Sequence, residues 1–432
     1  MCRTGLPLTY FVSFPLPADS LPHDDPVTTW SFHLPKYQRS HTPYNIVAIP
    51  CRGDTFMEKR GLKLLQWVLA FIMVIGYYLG LSYINQFSDG IDFFTGLVVL
   101  FAAIFIGMFL HVVLHEFGHL IAGLHSGYSF VALCIFNVTF VKENGKLKLK
   151  KYRVPGISGG CMLSPPDMKD GKYPFKLYGV GGLSVNFLTS IVCLTVFFCL
   201  AETAGLWASA FLMIGLLGAL VGIMNLIPSN ILAPSDGYIL FNMEKEENAT
   251  MRRGLWSCFR IQKLDAEGIR PRDIPTELYD WVDTNEVDNL FALGTASNQY
   301  KCLLDKQEFN QAGELIRFLC DNAKNISEMQ KTSFDGDLLF HELINECRQE
   351  EIDRLYTEKL KKFIKFARTD ASVQRVLYAY ARLALKDDAK AKEHLDLFNR
   401  ACARSIFSGT VLCEKELVAY VNTIAKEREA VS

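Results

Sequence analysis

The chain lacks any Cys-x-x-Cys pair, although it has 12 cysteines in 432 residues. Their scattered positions give no disulfide framework. Cys134, Cys193 and Cys199 lie in apolar segments, and Cys302, Cys320 and Cys347 in helical patterns. They read as buried or reduced thiols, so the soluble parts are expected to face a reducing compartment. An excess of one charge is also missing. The 45 Lys and Arg nearly balance the 46 Asp and Glu, for a net charge of −1, which gives no reason to invoke nucleic acid. Residues 1–56 lack a helical period and the basic start and apolar core of a signal peptide. They are rich in Pro, Ser, Thr and His, and are read as a disordered extension, with Met57 as an alternative true start.

Apolar sequence is abundant. Half of the residues are hydrophobic, and the length fits two or three domains. Four runs can cross a bilayer: about Leu64–Ile84, within Phe93–Leu124, about Gly182–Leu200 and about Trp207–Ile227. The second exceeds the roughly 20 residues of one crossing, so it is expected to tilt or to leave the lipid at its end. Lys and Arg set the orientation. The first run follows Lys59, Arg60 and Lys63, and the segment 127–181 carries Lys142, Lys146, Lys148, Lys150, Lys151 and Arg153. The short loops 85–92 and 201–205 carry no Lys or Arg. The N-terminus, the middle segment and the C-terminal region are therefore expected on the cytoplasmic side.

Within the second run stands His115-Glu116-Phe117-Gly118-His119. On a helix, HExxH puts two imidazoles on one face, where both can bind one zinc ion, and leaves Glu116 beside the metal as general base for water. The preceding stretch, Phe101–Leu110, has no polar face for a water-exposed helix. Ionisable groups in a membrane span are costly, and mark a functional site by default.

Two histidines leave zinc in need of a third ligand and an open position. Asp236 is the best candidate. It follows Asn225-Leu-Ile-Pro228 and Pro234 at the end of the fourth run, on the same membrane face as HExxH. Asp236-Gly237 is also an ordinary turn pair, and its place opposite HExxH favours ligation. His111, His115 and His119 are spaced i, i+4, i+8. His111 is thus a candidate support for the site, a packing residue, or a competitor of Asp236.

HExxH in one span, followed by N-x-x-P and D-G at a later one, resembles the site-2 protease family of intramembrane zinc metalloproteases, in its bacterial form. Gly182-Leu-Ser-Val-Asn186 is similar to the family's G-P-x-x-N, with Leu183 in place of Pro. The resemblance covers roughly residues 64–240. It implies zinc held by His115, His119 and Asp236, with Glu116 activating water and Asn225 stabilising the oxyanion or positioning the substrate; Asn186, in the matching motif, and His111, by its spacing, are further candidates for substrate or oxyanion support. It also implies a bacterial inner-membrane location. Residues 229–234 lengthen the family's usual Asn-to-Asp spacing, so this segment must fold back for Asp236 to reach the metal.

The fold expected is an α-helical polytopic membrane protein of about four spans, with a small cytoplasmic β hairpin and a C-terminal all-α cytosolic domain. The hairpin is read in Phe130–Phe140 and Lys146–Val154, joined at Glu143-Asn144-Gly145. A Gly- and Pro-punctuated loop, Gly156–Pro166, follows. An exposed strand edge there could take a substrate as an added strand. The domains are read as 57–240 for the protease core, 241–285 for a linker and 286–432 for a helical domain, amphipathic over Asn310–Asn322, Leu338–Ala367, Ala371–Lys386 and Lys390–Arg404. Its helix pairs resemble tetratricopeptide-type stacking, but no fixed repeat is found. The expected activity is hydrolysis of peptide bonds in or near membrane-spanning substrates. The expected partners are a membrane-protein or peptide substrate, the lipid bilayer, and a protein partner for the helical domain. The competing readings are a membrane metal-binding or transport protein, and an inactive relative acting as a scaffold.

Overall fold

The computed structural model describes residues 56–432, apart from 153–157, 230–233, 280, 283–286, 288–289, 324–325, 327 and 432. The expectations for residues 1–56 fall outside the described residues except at Phe56, where the first helix begins.

Among the described residues, four helices are long and apolar enough to cross a membrane: α1 (Phe56–Phe87), α2 (Phe93–His125), α3 (Phe175–Leu200) and α4 (Gly205–Leu226). In α1 the qualifying stretch is Leu64–Phe87. Side chains such as Trp67, Phe94, Phe101 and Phe198 point outward, as lipid-facing residues would. Helix α2 starts at Asp92, whose carboxylate accepts from Thr95 N at 3.0 Å. It ends at His125, and just beyond the Ser126 cap Gly127 takes φ +84 and Tyr128 N donates to Gly123 O at 3.0 Å. That bond and the left-handed glycine make a Schellman stop. With 33 residues, α2 rises about 50 Å, well beyond the hydrocarbon core. Small residues let the helices approach closely. A Cβ on Gly118 would collide with the Gly181 carbonyl, and one on Gly181 with the Gly118 carbonyl. Helices α2 and α3 therefore touch backbone to backbone beside HExxH. Ser209 on α4 reaches the Gly80 carbonyl of α1 at 2.8 Å.

The middle segment is a four-stranded antiparallel sheet rather than a hairpin and a loop. Its strands are β1 (Ser129–Ile135), β2 (Val138–Glu143), β3 (Lys146–Lys150) and β4 (Gly159–Ser164), in the order β3-β2-β1-β4. The run expected as one strand, Phe130–Phe140, breaks at Phe136, which takes a positive φ of 56. Asn144 and Gly145 form the expected tight turn, with φ +50 and +76. Most of the Gly-Gly-Cys loop is strand β4, paired with β1 from Ser129↔Ser164 to Ile135↔Gly159. Its glycines concealed it, because they supply no β-branched pattern. Leu147 and Leu149 on β3 are exposed, and Phe136 stacks on Phe109 of α2 at 5.6 Å between ring centroids. The sheet thus carries an apolar face that continues from the outer surface of α2.

After α4 come α5 (Asp236–Asn242) and α6 (Ala249–Ala266). In the stretch 241–285, expected as a linker, the described residues to Tyr279 are largely helical. Leu255 and Phe259 of α6 join a core with Tyr128, Leu133, Phe175 and Tyr178, and Trp256 donates to Pro166 O at 2.8 Å. The remaining helices are α7 (Leu290–Asp305), α8 (Phe309–Asn322), α9 (Glu328–Ile344), α10 (Gln349–Leu355), α11 (Glu358–Phe366), α12 (Ala371–Ala379), α13 (Asp388–Arg404) and α14 (Ser408–Val431). They share one large core that includes Tyr300, Ile316, Phe340 and Phe398. The single stretch expected over Leu338–Ala367 divides among α9, α10 and α11, where Cys347, with φ +56, turns the chain. Ile406 and Phe407, between α13 and α14, pack into the sheet with Val131, Val141 and Met162. Lys150 donates to Ser405 O at 2.7 Å, and Ser408 to Glu143 at 2.8 Å. The helical domain is therefore fastened to the sheet. The ten described cysteines are all free thiols.

Candidate metal centre

HExxH occupies the last third of α2, against α3 and β4. At about 3.6 residues per turn, a spacing of four brings His115 and His119 onto one face. Their Nε2 atoms are 3.1 Å apart. Asp236 Oδ2 lies 3.3 Å from each of them. The three residues form a buried group whose ligand atoms can hold a metal ion. His115 and His119 are 1% exposed, Asp236 is 3%, and Glu116, Asn186 and His111 are 0%. A carboxylate is costly to withdraw this far from water unless a cation or donors meet it. Burial pushes the Asp236 carboxyl up, but the adjacent His119 and His115 outweigh it and hold it down at about 2.

Asp236 reaches the histidines because the lengthened segment is closed at its neck. Ser235 N donates to Ser229 O at 2.8 Å, and Ser229 N to Ser235 Oγ at 3.1 Å. Ser235 Oγ also donates to Ile227 O at 2.7 Å and caps α5 by accepting from Tyr238 N at 3.1 Å. Ser229 and Ser235 are thereby held together, and α5 starts against the end of α4. Gly237 permits this approach, since a Cβ there would overlap the Leu226 carbonyl.

Helix α3 builds the floor. A Cβ on Gly182 would strike His119 Nε2 and lie 2.6 Å from His115 Cε1. Gly182→Ala is therefore expected to displace both imidazoles. Titration of the purified variant with zinc should show affinity at least about 10-fold below wild type, comparable with the loss of a group that orients a ligand. Two further groups had no sequence signal, because they are main chain. The Tyr178 carbonyl accepts from His119 Nδ1 at 2.7 Å, and this fixes the ring so that Nε2 faces the centre. Gly159 of β4 packs on Glu116, where a Cβ would lie 2.7 Å from Oε1. The sheet thus borders the carboxylate.

The remaining site residues divide. Asn186 is drawn to His115, with its amide 2.9 Å from Nδ1. His111 does not join the ligand group; its Nε2 donates to Ile214 O at 2.9 Å. Asn225 donates to Val221 O at 3.1 Å, one turn back in α4. In this arrangement the Asn186 and Asn225 amides and His111 Nε2 engage protein atoms.

Comparison of the chain with protein-family models, curated proteins and solved structures yields no match. The functional reading therefore stands on the residues themselves.

Proposed function

We propose that this protein is an intramembrane zinc metalloprotease, of the kind that its motifs resemble. One observation carries the reading. The three facing ligand atoms are 3.1, 3.3 and 3.3 Å apart. A tetrahedral zinc with bonds of about 2.0–2.2 Å sets its ligand atoms about 3.3–3.6 Å from one another, which the two carboxylate–imidazole separations meet and the imidazole pair falls slightly short of. Two imidazoles and a carboxylate are also the donor types of catalytic zinc, which keeps a fourth position open.

His115, His119 and Asp236 would hold the ion. A bound zinc supplies Lewis-acid chemistry, polarising a scissile carbonyl and acidifying water. Glu116 accepts the proton from the attacking water and delivers it to the leaving amide nitrogen. A helical substrate must unwind to present its carbonyl, so small or helix-breaking residues are favoured near the cut. Strand β4 is one of the two edge strands of the sheet and borders Glu116, but all six of its residues are buried rather than exposed as expected, so a substrate strand added there requires its cover to move aside. The distribution of Lys and Arg supports a cytoplasmic site at the end of α2 and a cytosolic helical domain, and the family resemblance suggests the bacterial inner membrane.

Metal analysis of the detergent-purified protein is expected to find about one zinc per chain. Vesicles containing it should show no zinc flux. Flux through the vesicles would favour a transporter built on the same cluster.

A further inference from the structure

Strand β3 reads Lys146-Leu147-Lys148-Leu149-Lys150, which gives it one leucine face and one lysine face. A sheet edge in water would turn the leucines inward and the lysines outward. Here the faces are reversed. Register pairs Phe140 with Leu149 and Lys142 with Leu147, so Val138, Phe140, Leu147 and Leu149 share a face. That face is open, with Leu147 64% and Leu149 66% exposed. The lysine face is the one turned to the protein. Lys148 and Lys150 pair with Glu143 at 3.2 and 3.1 Å, and Lys150 also donates to Ser405 O between α13 and α14. A contiguous open apolar face marks an interface with a protein or a membrane.

Continuity, depth and charge select the membrane. On β1 and β4 the same face, through Leu133 and Cys161, packs with Phe175 and Tyr178 of the spanning helix α3. The helices thus cover the inner half of the face, and β2 and β3 carry its outer half past them. At the β1–β2 turn Phe136 stacks on Phe109, an outward-facing residue of α2. Phe109 lies sixteen residues beyond Phe93, where α2 begins. That is roughly 24 Å along the helix, inside a hydrocarbon core of about 30 Å. Phe140 and its partner Leu149 lie four residues further along β2, or about 13 Å, which brings them to the boundary. Exposed lysines stand there: Lys142 on the apolar face, and Lys146 and Lys151 at the two ends of β3.

We propose that the β2–β3 hairpin is an interfacial anchor for anionic phospholipid. Phe140, Leu147 and Leu149 lie against the acyl chains, and Lys142, Lys146 and Lys151 extend to the phosphates of the headgroups. The anchor sets the depth of the sheet in the bilayer, and with it the height of Gly159 beside Glu116. It needs only the four spans, and stands or falls apart from the metal centre.

The test uses the full chain in vesicles of equal parts phosphatidylglycerol and phosphatidylcholine. Leu149→benzoylphenylalanine places a photoreactive group on an exposed position, and mass spectrometry identifies what it captures on irradiation. Lipid adducts are expected, with phosphatidylglycerol in at least about 5-fold excess, the effect of one lysine at an anionic surface. Lys148→benzoylphenylalanine, on the opposite face, should lose the lipid adducts. Adding Lys142→Gln, Lys146→Gln and Lys151→Gln to the first variant should keep lipid capture and bring the two lipids to equal yield. Capture of a second copy, of another segment of the same chain, or of nothing would overturn the anchor. Equal yields before the lysines are changed, or an excess that survives their change, would overturn the headgroup contacts.

Discussion

Glu116→Gln is expected to bind zinc like the wild type and to lose cleavage by about 10²–10⁴-fold, the usual contribution of a general base. That loss corresponds to about 3–5 kcal/mol of activation free energy. Glutamine has the shape of glutamate, so the contact with Gly159 of β4 survives. The amide cannot accept the proton of the attacking water. Glu116 is not among the three ligand residues, so the ion should stay. Parallel metal analysis and a cleavage assay on the same preparation separate the two properties. Loss of zinc together with activity would show that Glu116 acts in binding rather than in proton transfer.

Asp236→Ala is expected to have the opposite signature, with zinc lost first and activity as a consequence. The carboxylate supplies one of three ligand atoms and the only negative charge among the ligands. Zinc affinity should fall by more than about 100-fold, beyond the usual effect of changing a group behind a ligand. The fold should survive, because Ser235 rather than Asp236 caps α5 and closes the neck of the preceding segment. Calorimetric or chelator titration measures the loss, and normal zinc content in this variant would remove Asp236 from the ligand set.

Much of this centre was legible in the sequence because it depends on periodicity and hydropathy. HExxH needs only the helical repeat to bring two imidazoles together, and the four spans are plain apolar runs. What escaped depends on contacts between segments distant in sequence. Helix α3 begins at Phe175 rather than Gly182, since its first turns pack on β4 and α6 and are less uniformly apolar. Strand β4 is hidden in the sequence by Gly159 and Gly160, and the missing side chain of Gly159 leaves room for Glu116. The reach of Asp236 was uncertain in sequence because loop length alone cannot reveal the Ser229–Ser235 closure. The Tyr178 carbonyl orients His119, and a backbone group has no sequence signature. Asn186 and His111 stood out by residue type, but their contacts, His115 for Asn186 and the Ile214 carbonyl for His111, join helices distant in sequence.

The central claim is that this buried centre cuts peptide bonds in membrane substrates. Protein termini in membranes of cells producing the wild type or the Glu116→Gln variant test it most directly. The account predicts new termini in or beside membrane-spanning segments with the wild type, absent with Glu116→Gln. Identical termini in the two membranes would contradict it.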